Sequence, residues 1–128
     1  MQNIKIFRGI EQEDVNYILS KCNIEIFGAG REIMSQGEES NGKGYIIKSG
    51  EVEIFVDNKE RKTLGEGDVF GEIALLNDGE RTATVIAKTE VETYILTQDS
   101  LIEIINNYSN AINKQIMQRI EENLDLED

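Results

Sequence analysis

The sequence predicts a mainly β domain, a sandwich or barrel with helices at both ends. Between Gly28 and Thr97, short segments rich in β-branched and aromatic residues are separated by turn residues. Those segments read REIMSQG, GYIIKSG, EVEIFVD, RKTLGEG, RTATVIAKT and EVETYILT. Helical spacing of apolar residues occurs before and after this region. A length of 128 residues suits a single domain spanning 1–128.

The N-terminal segment 1–27 is predicted to be helical, and the barrel is predicted to occupy 28–97. In residues 10–20, Ile10, Val15, Ile18 and Leu19 fall on one face of a helix. Within the barrel, alternate residues of EVEIFV predict a half-buried strand, with Val52, Ile54 and Val56 on one side. The DNKE sequence at 57–60 predicts a hairpin turn, and EESNG at 38–42 a solvated loop.

The C-terminal segment 98–128 is predicted to form two helices. Ile112, Ile116, Ile120 and Leu124 recur every four residues, which makes an apolar stripe along the second helix. A helix this short must dock its apolar face on something. The stripe can pack on the domain, cover a ligand as a lid, or form a homodimer through 109–124.

Composition argues against several functional classes. Twenty-five acidic residues against 13 basic ones give a formal charge of −12, which repels nucleic acids and acidic membranes. Without histidine, neither a histidine-ligated metal site nor histidine acid–base catalysis is expected. We predict a non-enzymatic protein without a metal or cofactor. The single Cys22 and the absence of a secretory signal predict a cytoplasmic location.

The stretch GDVFGEIALLNDGERTAT, residues 67–84, has the features of a site for a small anion. A short helix beginning near Glu72 would direct unpaired backbone N–H groups at a ligand, and Gly71 would let that ligand approach closely. Arg81 could grip two phosphate oxygens. The carboxylate of Glu72 is suited to accept a hydrogen bond from a hydroxyl such as that of a ribose. These residues therefore predict that the ligand is a phosphorylated sugar or a nucleotide. A surface ion pair between Glu72 and Arg81 is the alternative.

The same stretch resembles the phosphate-binding cassette of the cyclic-nucleotide-binding domain family, and FGAGREIMSQGEESNGKGYIIKSGEVEIFV resembles that family's opening strands. The resemblance implies an antiparallel β-roll or jelly-roll barrel. It implies that Glu72 accepts a hydrogen bond from the ribose 2′-hydroxyl and that Arg81 pairs with the cyclic phosphate. It also implies that backbone N–H groups are offered by Gly71, Ile73 and Ala74.

Four further contacts are implied by the resemblance. Thr82 and Ala83 would line the phosphate side of the pocket, while Val52 and Leu64 would touch the base from the barrel wall. Val52 and Leu64 could equally be plain core residues.

We therefore predict a sensor domain that binds cyclic AMP in preference to cyclic GMP and transmits binding by movement of its C-terminal helices. Its partners would be the nucleotide and an effector, either a separate protein or a further domain. The alternative is a degenerate family member that binds no nucleotide and acts as a protein-interaction module.

Overall fold

The computed structural model describes residues 7, 11–71 and 79–100. Helix α1 (Gln12–Ser20) is followed by eight strands, and residues 98–100 after them are again helical. The strands are β1 (Asn23–Phe27), β2 (Glu32–Met34), β3 (Gly44–Ser49), β4 (Val52–Val56), β5 (Lys59–Leu64), β6 (Val69–Phe70), β7 (Thr84–Ala87) and β8 (Val91–Leu96). Both the short helix predicted from Glu72 and most of the predicted C-terminal helices lie outside the described residues.

The strands form two four-stranded antiparallel sheets, with the orders β1-β8-β3-β6 and β2-β7-β4-β5. Their inner faces enclose an apolar cluster, in which the ring of Tyr45 stacks on Phe70 and meets the edge of Phe27. The alternation predicted for β4 is confirmed, since Val52 and Ile54 are buried in this cluster and Val56 packs against it. The mainly β fold that the strand pattern predicted is confirmed, as is the jelly-roll that the family resemblance implied.

The segment 1–27 is not helical throughout, and this part of the prediction was wrong. Helix α1 is present, but β1 (Asn23–Phe27) pairs with β8 and belongs to the first sheet. The strand escaped notice because its two isoleucines face outward, where Ile24 is 50% and Ile26 54% exposed. Its inward contribution to the core is the single residue Phe27.

The β4–β5 hairpin turns over two residues, so the predicted turn at 57–60 was two residues too long. Asp57 and Asn58 have φ values of 54° and 64°, as expected at the centre of a type I′ turn. Gln36 holds this turn from the β2–β3 loop: its Nε2 donates to Asp57 Oδ1 (3.0 Å), and Asp57 N donates to its Oε1 (2.7 Å). Asp57 and Asn58 tolerate the left-handed conformation better than most residues, which explains the absence of glycine here.

Cys22 follows α1 as a half-buried residue, with its Sγ 3.5 Å from Ile18 O. Burial raises the pKa of its thiol to about 11, which suits a small packed side chain better than a reactive thiolate. In the part of the chain described here, no helix combines the length and apolar character needed to span a bilayer.

The turn between β3 and β4 requires glycine at position 50 for two separate reasons. Gly50 has a φ of +93°, and a Cβ placed on it would lie 2.2 Å from the backbone oxygen of Glu90. That oxygen belongs to the turn leading into β8, where Lys88 N and Thr89 N both donate to Glu51 O. The two turns are therefore packed backbone against backbone.

We expect Gly50→Ala to lower the free energy of unfolding by at least about 3 kcal/mol, because conformational strain and a backbone clash add together. Gly30→Ala is the matched control: its φ is +85° but a Cβ there meets nothing within 4 Å. Strain alone should cost that variant about 1–2 kcal/mol. Urea titration of both variants measures the difference, and equal losses would contradict the clash.

Candidate ligand-binding site

Arg81 is a buried cation at the end of the barrel where β6 leaves and β7 begins. Arg81 is only 6% exposed. Among the hydrogen bonds that its guanidinium donates, three are to groups of Gly71, Asn41 and Lys43. Nη1 donates to Gly71 O (3.1 Å), while Nη2 donates to Asn41 Oδ1 (2.5 Å) and Lys43 O (3.0 Å). Because a guanidinium keeps its charge at any physiological pH, these contacts hold a fixed positive charge at a defined place.

The backbone of Arg81 is as firmly placed as its side chain. Arg81 N donates to Glu38 O, and Gly37 N donates to Arg81 O, both at 2.8 Å. Ser40 N adds a bond to Gly79 O (2.9 Å). These three bonds join the segment before β7 to the β2–β3 loop, so the arginine is positioned from two sides.

Gly71 leaves the space that the guanidinium occupies. It follows β6 directly and has a φ of +71°. A Cβ on it would lie 3.0 Å from Arg81 Nη1 and 3.4 Å from both Lys43 O and Met34 Sδ. The close approach that the sequence predicted for a ligand is made here by the arginine side chain itself.

The other predicted contact residues that the structure describes lie around the same interior. Ala83 is buried in the core cluster and Thr82, next to Arg81, is half-buried. Val52 and Leu64 are cross-strand partners in the β4–β5 hairpin. Val52 is fully buried in the core cluster, and half-buried Leu64 packs against that cluster. Glu72, Ile73 and Ala74 fall within 72–78 and lie outside the described residues.

Sequence reasoning missed Asn41. Residues 38–42 were predicted to be a solvated loop, and Asn41 is indeed exposed, but its Oδ1 accepts a hydrogen bond from Arg81. The same oxygen accepts from Lys43 N (3.1 Å), which makes a local turn of a kind that asparagine favours. The Asn–Gly sequence indicates that turn, whereas nothing in it points to an arginine 40 positions away.

Comparison with known proteins agrees with this geometry. A family model described as "Cyclic nucleotide-binding domain" matches residues 24–108. The chain belongs to this family. The resemblance identified from the cassette sequence is thereby confirmed.

The relatives are much longer proteins, in which the matching region is one part. The chain is 35% identical over 106 residues to a cGMP-dependent protein kinase of Plasmodium berghei, covering 82% of this chain and 12% of the kinase. It is 32% identical over 106 residues to the human potassium/sodium hyperpolarization-activated cyclic nucleotide-gated channel 2, covering 83% of this chain and 12% of the channel. The chain thus spans about an eighth of the length of these relatives.

Among solved structures, the Thermus thermophilus catabolite activator protein superposes with a TM-score of 0.81 at 27% identity. The match covers 93% of this chain and 57% of that one. The N-terminal domain of a Streptomyces coelicolor transcriptional regulator superposes with a TM-score of 0.75 at 21% identity, which supports the fold alone.

We expect Gly71→Ala to disturb the arginine as well as the backbone, because the added methyl group meets Nη1 and the φ is unfavourable. The free energy of unfolding should fall by about 2 kcal/mol. Gly79→Ala, on the other side of residues 72–78, meets nothing within 4 Å and should change stability by less than about 0.5 kcal/mol. Equal thermal stability of the two variants would show that Gly71 is not needed at this contact.

Proposed function

We propose that this domain binds a cyclic nucleotide with its phosphate against the guanidinium of Arg81. The observation that carries the proposal is the burial of Arg81 together with its hydrogen bonds to Asn41, Lys43 and Gly71. Those acceptors fix the orientation of the planar guanidinium before a ligand arrives. A preorganised cation loses little side-chain entropy when it binds an anion.

A buried cation is needed to bind the phosphate because the protein as a whole repels anions. A formal charge of −12 gives an unfavourable long-range field for a phosphate. Beside a buried cation, however, water screens the attraction less than it screens charges at the surface. A guanidinium also suits the phosphate geometry, since two of its N–H groups can point at two phosphate oxygens.

The remaining contacts are proposed from the family resemblance. Glu72 would accept a hydrogen bond from the ribose 2′-hydroxyl, and backbone N–H groups of Gly71, Ile73 and Ala74 would bind the phosphate. The base would lie against the barrel wall near Val52 and Leu64, with Thr82 and Ala83 on the phosphate side. Val52 and Leu64 are cross-strand partners in β4 and β5, so their side chains lie on the same face of the sheet.

Cyclic AMP is the ligand we favour, and cyclic GMP is its competitor. Thr82 provides a hydroxyl next to Arg81 that could meet a guanine, and two of the relatives are named as cGMP-dependent kinases. Both nucleotides therefore have to be titrated on the same preparation.

We further propose a cytoplasmic, non-enzymatic regulatory domain whose effector is a separate protein or another domain. The long relatives, in which a matching region makes up about an eighth of the length, support such a modular role. Movement of the C-terminal helices, with 109–124 as lid or dimer seam, stays a prediction because residues 101–128 lie outside the described part. A nucleotide-free protein-interaction module remains the alternative, and calorimetric titration decides between the two.

Arg81→Leu should weaken cyclic AMP binding by about 30-fold or more, since loss of one partner of a buried charge pair costs about 2–5 kcal/mol. Arg61→Leu is the matched control, because it removes the same charge from an exposed position on β5. Isothermal calorimetry measures both affinities, and thermal unfolding establishes that both variants are folded. An unchanged affinity of Arg81→Leu would refute the assignment of the phosphate site.

A ligand lacking the 2′-hydroxyl tests the proposed role of Glu72. With 2′-deoxy cyclic AMP the carboxylate loses a donor, so binding should be about 5- to 30-fold weaker than for cyclic AMP, or about 1–2 kcal/mol. Glu72→Gln should reduce this discrimination while leaving the phosphate contact in place. Equal affinity of the parent protein for the ribose and deoxyribose ligands would exclude the role.

A further inference from the structure

Asn41 and Gly42 form an Asn–Gly pair in the loop that contacts Arg81. We propose that Asn41 is a site of spontaneous deamidation, and that its conversion weakens nucleotide binding by placing a carboxylate on the guanidinium of Arg81. The modification stands on the loop alone, whereas its effect on affinity rests on the function proposed above.

The hydrogen bonds of the Asn41 side chain make its amide carbon, Cγ, more susceptible to nucleophilic attack. Its Oδ1 accepts two hydrogen bonds, from Arg81 Nη2 (2.5 Å) and Lys43 N (3.1 Å). Two donors on one carbonyl oxygen draw electron density from Cγ, and they stabilise the negative charge that develops on the oxygen during attack. One of the donors is a cation, which strengthens this stabilisation.

The attacking atom is the backbone nitrogen of Gly42. Gly42 has no Cβ to obstruct the approach. Its N–H donates to Ser40 Oγ (3.0 Å), so a hydroxyl is in place through which the proton can pass to water. Because Asn41 is exposed, water also reaches the site for the second step.

The reaction needs no reagent besides water. Gly42 N forms a bond to Asn41 Cγ and loses its proton to solvent, and the bond from Cγ to the side-chain nitrogen breaks as that nitrogen takes up a proton and leaves as ammonia. The product is a five-membered succinimide. Water then adds to one of its two carbonyl carbons and opens the ring, which leaves either aspartate or isoaspartate at position 41. One water is consumed and one ammonia is released.

The product alters the electrostatics of the arginine. A neutral oxygen that accepts from Nη2 becomes a carboxylate, and the resulting charge-assisted bond is stronger than the bond it replaces. That carboxylate offsets part of the positive charge offered to a phosphate and adds a negative charge beside the bound anion. Isoaspartate also lengthens the backbone by one carbon before Lys43, whose carbonyl oxygen is another acceptor of Arg81.

The modification is tested by incubating the full chain at physiological temperature and mildly alkaline pH, followed by peptide mapping with mass spectrometry. Asn58 is the internal control, since it is also exposed in a tight turn but is followed by Lys59. We expect Asn41 to convert several-fold faster than Asn58. Conversion of Asn41 at the same rate or more slowly would overturn the site.

The consequence is tested by titrating Asn41→Asp with cyclic AMP beside Asn58→Asp, which adds the same charge at the β4–β5 turn. Asn41→Asp should bind about 3- to 10-fold more weakly than the parent protein, because a charge-assisted pair competes for the guanidinium. Asn58→Asp should keep the parent affinity. Equal affinities of the two variants would overturn the effect on binding. If the parent binds no cyclic nucleotide, the proposed function and this effect both fail, while the conversion rates still decide the modification.

Discussion

The structure depends on keeping the charged guanidinium of Arg81 inside a mainly apolar barrel. Removing a charge from water is expensive unless hydrogen bonds replace its hydration, and here an amide and two backbone carbonyls do so. The acceptors come from two distant parts of the chain: Asn41 and Lys43 precede β3, and Gly71 follows β6. The folded barrel therefore brings together hydrogen-bond acceptors for the guanidinium that no single local segment could provide.

This requirement explains features that would otherwise appear unrelated. Gly71 must lack a side chain because Arg81 fills the adjacent space. The β2–β3 loop must lie close because it carries two of the three guanidinium acceptors and also the backbone partners of Arg81. Gln36 extends the same arrangement. Its side chain joins that loop to the β4–β5 turn, and its backbone N–H donates to Thr84 Oγ1 at the start of β7. A ligand that repositions the arginine would act on all of these elements together.

The sequence predicted most of the barrel because its signals are local. Val52, Ile54 and Val56 alternate, and turn residues separate one strand from the next. Strand β1 was missed because Ile24 and Ile26 face outward and its partner, β8, lies far along the chain. Gly71 and Arg81 were predicted as site residues from their neighbours in the cassette. Asn41 was not predicted to contact Arg81, because a hydrogen bond between residues 40 positions apart does not affect the local periodicity of the sequence.

The central claim, that Arg81 receives the phosphate, is tested most directly by nitrogen-resolved NMR of its guanidinium during titration with cyclic AMP. Assignment follows from the signals that disappear in Arg81→Lys. The account predicts that the Arg81 side-chain N–H signals shift and exchange more slowly with water as ligand saturates, while those of exposed Arg61 do not. Saturation by calorimetry with unchanged Arg81 signals would contradict it, because the phosphate would then be bound elsewhere.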